Sequence, residues 1–412
     1  MKHALLIAYH YPPARGSSGL QRTLKLSKYL ADFGWSCDVL TVATRAHPQT
    51  SPDLLGEIPA DVPVTRAFAL DCSRQLSIAG RYPSWLAYPD RWGSWMLGAL
   101  PAARSIIRRR GTKLIWSTFP IATAHWIGAA LAERTGLPWV ADFRDSMTED
   151  NYPPDPRTRA TYRKIEARAV RRAARSVFTT PGARRMYVER YPDVPGSRFE
   201  VIENGFDEED FARLTPTPER LGRRMQLLHS GLLYPSERDP RAFFGALADL
   251  KRAGTLDATK VEVVLRGSGH DREIAPMIAE HGVGDLVTLA PPLGYAEALA
   301  EMMAADILLL FQAANCNHQI PAKLYEYLRS RRPVLALTDA AGDTAATLRN
   351  AGVDTIVALD DRAAIAAMLA DCLQRQARGE LGGVVPDVAA RYTRRAQVKS
   401  MALMFERVLS EM

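Results

Sequence analysis

Pro321-Ala322-Lys323-Leu324-Tyr325-Glu326-Tyr327-Leu328 is the stretch on which the fold turns. It follows the apolar run Ile307-Leu308-Leu309-Leu310-Phe311 and precedes Pro333-Val334-Leu335-Ala336-Leu337, and both runs read as buried strands. Between two parallel strands, a strand-loop-helix unit presents backbone N–H groups at its loop and suits a phosphate. Glu326, one turn into the helix that starts near Pro321, can accept hydrogen bonds from two neighbouring hydroxyls, as on a ribose. The combination implies a nucleotide ligand.

Working outward, strands alternate with helices. Ala4–Tyr9 reads as a strand, Gly19–Gly34 as a helix and Ser36–Ala43 as a strand, with further strands at Lys113–Ser117, Pro138–Phe143 and Ser176–Thr180. The pattern restarts at Met225–Ser230 and runs through Val261–Arg266, Val287–Ala290, Ile307–Phe311, Val334–Leu337 and Thr355–Leu359. This is α/β architecture: two Rossmann-like, doubly wound parallel sheets with helices on both faces. The expected domains are 1–205 and 223–389, joined by a hinge at 206–222 and followed by a terminal helix at 390–412. The hinge is marked by two prolines and the acidic run Asp207-Glu208-Glu209-Asp210. Ligands of open parallel sheets bind beyond the carboxyl ends of the strands, so chemistry is expected in a cleft where the two sheets face each other.

At 412 residues the chain exceeds the size of a usual single core, which agrees with two domains. No apolar run approaches the roughly 18 residues of a membrane span, and Met1–Ala8 is too short for a signal peptide, so a cytoplasmic protein is expected. Cys37, Cys72, Cys316 and Cys372 are widely scattered, which excludes a paired metal spacing and suggests reduced thiols. Net charge is +7, unevenly placed: residues 1–205 hold 29 Lys/Arg against 18 Asp/Glu, and 206–412 hold 24 against 28. Within the basic half, Lys164, Arg168, Arg171, Arg172 and Arg175 repeat every three to four residues. That predicts a cationic helix face, either solvated or facing anions. No nucleic-acid reader motif accompanies it.

Four motifs in order, Tyr11-Pro12-Pro13 with Gly16-Ser17-Ser18-Gly19, Ala141-Asp142-Phe143-Arg144-Asp145, Val201–Asp207 and Pro321–Leu328, resemble family 4 retaining glycosyltransferases over nearly the whole chain. The resemblance implies the GT-B fold and a nucleotide sugar held mainly by the second domain. It also implies an acceptor held mainly by the first, a terminal helix crossing back to the first domain, and no metal or other cofactor. In the family's E-x7-E motif, Glu326 takes the ribose-binding position, while the first glutamate is His318, which touches the sugar or merely lines the cleft. Of the basic pair that neutralises the diphosphate, Arg238 matches the second position and Leu232 stands at the first. Lys323 is the candidate to supply the missing charge, the plain alternative being that it points into solvent. Gly267-Ser268-Gly269 resembles the loop near the base, and Pro321 and the Gly16–Gly19 loop complete the donor side. His125 matches a position beside the transferred sugar, or is a hydrogen-bonded helix histidine. Asp142, Arg144 and Asp145 are expected near the acceptor, or form a fixed ion-pair network.

Glu166 falls on the apolar side of its helix, which predicts a buried partner and a structural role. The aromatic stretch Tyr82–Trp95 suits either lipid contact or packing of a long surface excursion. Together with the basic half it suggests peripheral docking on an anionic inner leaflet. The expected reaction is transfer of a sugar, with retention, to a hydroxyl such as that of a lipid-linked glycan in cell-surface polysaccharide assembly. Two alternatives are a nucleotide-sugar epimerase or hydrolase of the same fold, and a catalytically silent binding partner.

Overall fold

In a computed structural model that describes residues 1–15, 19–214 and 224–412, the named strands fall into two parallel sheets, each with its own unit of the chain. The first unit takes Met1–Asn204 together with Arg394–Met412, and the second takes Gly205–Thr393. Strands of the first are β1 (Lys2–Ile7), β2 (Trp35–Val42), β3 (Val64–Ala67), β4 (Leu114–Thr118), β5 (Trp139–Phe143), β6 (Arg175–Phe178) and β7 (Phe199–Val201). They lie in the order β3-β2-β1-β4-β5-β6-β7. Those of the second are β8 (Met225–Ser230), β9 (Val261–Arg266), β10 (Val287–Ala290), β11 (Ile307–Gln312), β12 (Val334–Thr338) and β13 (Ile356–Val357), in the order β10-β9-β8-β11-β12-β13.

The unbroken apolar runs follow from covering both faces of each sheet. Along β1 and the residues after it, Ala4, Leu6 and Ala8 pack with Leu20 and Leu24 of the Gly19–Tyr29 helix and with Met401 and Phe405 of the Arg394–Ser410 helix. Leu5, Ile7 and Tyr9 point the other way, toward Trp95 and Ile127. In β11, Ile307, Leu309 and Phe311 enter one core, and Leu308 and Leu310 the other. Strand order reverses between β1 and β4 in the first unit and between β8 and β11 in the second, so adjacent loops leave in opposite directions and open a crevice in each sheet.

Two strands went unanticipated, β3 and β7. Both are short edge strands of mixed polarity, Val-Thr-Arg-Ala and Phe-Glu-Val, without the apolar run of a central strand. The helix expected to reach Gly34 is α-helical only to Tyr29. A tighter 3₁₀ turn, Leu30–Phe33, follows and is closed by Gly34 at φ 82°. Only Ile356 and Val357 of the expected strand Thr355–Leu359 pair. The acidic run of the expected hinge forms a short helix, Glu208–Ala212, with Asp207 as its cap, because acidic groups stabilise a first turn. Residues 215–222 of that hinge lie outside the described residues.

The cationic face is a solvated one, and its arginines carry partners. Arg168 and Arg172 share Glu133, and Arg171 pairs with Asp193. Arg175 is not on the helix at all: it lies in β6, pairs with Glu200 and Glu411, and so ties the terminal helix to the sheet. Four of the five therefore have a carboxylate partner, Arg168 and Arg172 sharing one. Glu166, fully buried, accepts from Thr148 Oγ1 (3.0 Å), Tyr187 Oη (2.8 Å), Tyr191 Oη (2.7 Å) and Arg190 Nη1 (2.8 Å). Glu166→Ala strands these donors and should cost about 3–5 kcal/mol in urea unfolding, whereas a loss under about 1 kcal/mol would contradict the bracing role.

Candidate functional site

In the second unit the helix Ala322–Ser330 is pinned to the crevice by a buried tyrosine. Tyr327 Oη accepts from Ser230 N (3.1 Å), at the end of β8, and donates to the Leu309 carbonyl (3.3 Å) in β11, because a buried phenol must find partners. Pro321 caps this helix. Lys323 and Glu326, one turn apart, form an ion pair (Nζ–Oε2, 2.9 Å), and Tyr295 Oη donates to Glu326 Oε1 (2.9 Å). Lys323 therefore faces a partner rather than solvent; Oε1 of Glu326 accepts from Tyr295, while Oε2 is buried beside the Lys323 charge with no hydrogen-bond donor among the described residues. A pair of vicinal hydroxyls would replace Tyr295 on Oε1 and give Oε2 the donor it lacks.

Arg238 follows β8, donates to the Leu232 carbonyl and lies 5.5 Å over the Tyr234 ring. Leu232, where a basic residue was sought, packs against Gly269: a Cβ there would come within 2.6 Å of Leu232 Cδ2. Gly267 and Gly269 hold φ of 62° and 71°, so the loop after β9 needs both glycines. Ser268 is buried with its hydroxyl on Asp271, and so its side chain braces the loop, leaving backbone groups for a ligand. His318 is half-buried in the loop after β11, with the Gln319 amide nitrogen 3.5 Å from Nε2. That loop is held by Gln312 Nε2, which donates to the carbonyls of Cys316 (2.9 Å) and Gln319 (3.0 Å).

His229 was missed. It is buried at the end of β8 with Nδ1 3.0 Å from the Leu309 carbonyl, and Nε2 has no partner among the described residues. Burial, reinforced by the Arg238 and Lys323 charges, pulls its pKa down to about 4, so the imidazole is neutral at pH 7 and Nδ1–H donates to Leu309. The available signal was a histidine following Leu227-Leu228 near the end of the strand Met-Gln-Leu-Leu-His-Ser.

In the first unit, Asp142 is fully buried and gripped by Arg22, through Nε (2.8 Å) and Nη2 (2.7 Å), with Thr118 Oγ1 at 3.0 Å. Arg22 also donates to the carbonyls of Ile202 (3.0 Å) and Glu203 (2.9 Å). Asp142 is thus a brace between the first helix, β5 and the chain after β7, and Arg22, not Arg144, is its partner. Arg144, 9% exposed, lies against the start of the first helix, where a Cβ on Gly19 would fall 1.5 Å from Nη1. Its nearest carboxylate is Asp145, at 3.8 Å. His125 is fully buried among Phe143, Trp139 and Phe119, with Nδ1 2.8 Å from Ser117 Oγ, which also accepts from Trp139 Nε1 (2.8 Å). Burial lowers its pKa to about 3. Gly16, Ser17 and Ser18 lie outside the described residues.

Residues 19–205 match the family described as glycosyl transferase 4-like domain. No curated protein sequence matches the chain. Solved structures similar to it include sucrose-phosphate synthase from Thermosynechococcus elongatus (16% identity, TM-score 0.69, all of both chains covered). A glycosyltransferase from Rickettsia africae aligns over the full length of both chains at 13% identity and TM-score 0.67. Anabaena HepE in complex with UDP-glucose aligns at 15% identity and TM-score 0.66, over 99% of this chain and 100% of its own. At such identities the likeness is one of fold, and the fold is GT-B.

Five buried or half-buried histidines have pKa values pushed below their ordinary 6.5, chiefly by burial: His10 and His125 to about 3, His47 and His229 to about 4, and His3 in the same direction. Between pH 6.5 and 4 the unfolded chain therefore binds more protons than the folded one. Stability should fall as pH drops through that window, by up to about 1.4 kcal/mol per pH unit for each histidine. Urea midpoints measured from pH 7.5 to 4.5 should decline steadily below pH 6.5; a flat profile would contradict these assignments.

Proposed function

We propose that this glycosyltransferase, a GT-B enzyme whose residues 19–205 are a glycosyl transferase 4-like domain, moves a sugar from a nucleoside diphosphate sugar to a hydroxyl acceptor with retention at the anomeric carbon. The observation that carries the donor side is the grouping of Glu326, Tyr295, Lys323 and Arg238 around the loops that follow β8, β10 and β11. Glu326 takes the ribose hydroxyls in place of its present donor. Lys323 and Arg238 then meet the diphosphate, where a fixed cation stabilises the charge that builds as the anomeric carbon–oxygen bond breaks. The acceptor oxygen bonds to that carbon on the same face, and its proton passes to the departing phosphate, so no separate base or metal is invoked. His318 and the Gly267–Gly269 backbone complete the donor side, and Arg144 and Asp145 the acceptor side.

A lipid-linked glycan acceptor, met at an anionic inner leaflet on the cytoplasmic side, is supported by the surface of the aromatic segment. Trp92 and Trp95 are packed in the core, but Trp85 is 68% and Ile78 84% exposed. Ile78 and Arg81 pair across a tight turn, so an apolar and a cationic side chain share its tip. Among the described residues no helix is long and apolar enough to cross a membrane.

Glu326→Ala should weaken UDP or GDP binding at least about tenfold in calorimetry, in line with loss of charge-assisted hydrogen bonds, and unchanged affinity would remove the donor assignment. Turnover of donor without acceptor, to hydrolysed or epimerised product, would favour the epimerase or hydrolase reading. In liposome flotation, wild type should float with anionic vesicles and Ile78→Asp/Trp85→Asp should not; equal behaviour of the two would refute docking through this tip.

A further inference from the structure

Unpartnered buried donors gather at the carboxyl side of the first unit's sheet, around the segment Tyr9-His10-Tyr11-Pro12 that follows β1. Arg66, in β3, donates through Nη2 to the Pro12 carbonyl (2.6 Å), while Nη1 is buried with no partner among the described residues. His47, after β2, is 3% exposed, stands edge-on to Tyr9 at 5.0 Å, and neither ring nitrogen has a partner there. The His10 ring packs on Tyr9 as well, at 4.9 Å. Arg144 Nη1 is likewise buried and unpartnered.

Nearby carboxylates do not answer these charges. Asp71 caps the Cys72–Gln75 turn through Oδ1, with Arg91 Nε at 3.9 Å and Oδ2 buried without a hydrogen-bond partner among the described residues, and Asp90 holds Thr123 N (2.8 Å) and Thr123 Oγ1 (2.9 Å). Among the described residues Arg66 has no carboxylate in ion-pair reach, and Asp145 stands 3.8 Å from Arg144. A guanidinium only donates, and a buried donor without an acceptor is costly. Burial keeps His10 and His47 neutral, each also repelled by a neighbouring guanidinium, Arg144 and Arg66 respectively. An acceptor-rich anion would answer these donors.

We infer that the first unit binds a phosphoryl group through Arg66, Arg144 and His47, beside the loop that follows β1, and that the sugar acceptor carries this group. Three donor residues approaching from the ends of three different strands call for more acceptor directions than the two oxygens of a carboxylate offer, and arginine forks suit phosphate geometry. The binding site stands independently of the reaction; its assignment to the acceptor rests on the transferase reading above.

The test is calorimetry of the full chain with inorganic phosphate and pyrophosphate, against acetate at equal ionic strength. Saturable phosphate or pyrophosphate binding is expected, with at least about tenfold weaker affinity in Arg66→Gln and Arg144→Gln and UDP affinity unchanged in both. Acetate binding as tightly as phosphate, no saturable binding, or folded variants that bind like wild type would overturn the site. Because a variant can fail to fold, wild-type protein is also followed by histidine ring resonances: phosphate should shift those of His47, and unmoved resonances at saturating phosphate would overturn it. A hexose 6-phosphate and a short isoprenyl diphosphate then separate the sources. Competition by either with inorganic phosphate supports the acceptor assignment and identifies its kind. Competition by neither, with intact phosphate binding and donor turnover, refutes the acceptor assignment alone.

Discussion

Covering both faces of a parallel sheet is the constraint on which everything else depends. Helices bury the two faces, ladders satisfy the strand backbones, and polar groups without partners are pushed toward the strand ends. There the backbone leaves the sheet, and the crevices beside β1 and β8 open where strand order reverses. Arg66 and His229 in their strands, His47 and Arg144 just beyond theirs, and Lys323 and Glu326 in the helix after β11 sit at these ends because the interior has no place for them.

The two units meet this constraint with different chemistry. In residues 205–393 charges come in ion pairs, Lys323 with Glu326 and Arg266 with Glu301, so a ligand meets charges that already have a counter-charge. In residues 1–204 one pair, Arg22–Asp142, is closed and bidentate and serves the fold, while Arg66 and Arg144 each keep a donor without a partner among the described residues. Replacing the closed pair removes a brace; occupying the open donors relieves a desolvation cost already present in the folded chain.

Central strands were legible from sequence because their residues are apolar on both faces, as in Ile307–Phe311. The edge strands β3 and β7 were not, since Arg66 and Glu200 break the apolar pattern there. The group proposed for the nucleotide was partly legible: Lys323 and Glu326 share a helix, so their spacing predicts their proximity. Tyr295 and Tyr327 were not foreseen as partners, because their contacts join loops and strands far apart in sequence. The same limit hid Arg22, which lies 120 positions from Asp142, and made Arg144 look like the natural partner from its adjacency alone. The partners of the cationic face were hidden for a related reason. Helical spacing locates Arg168 and Arg171 but carries nothing about Glu133 and Asp193, which come from other elements.

The most direct measurement is a crystal structure of the full chain grown with a nucleoside diphosphate. The account predicts its diphosphate within hydrogen-bond distance of Arg238 and Lys323 and its ribose hydroxyls on Glu326, with Tyr295 displaced. A nucleotide bound away from the carboxyl ends of β8 and β11, or a ribose that leaves Glu326 paired as it is now, would contradict it.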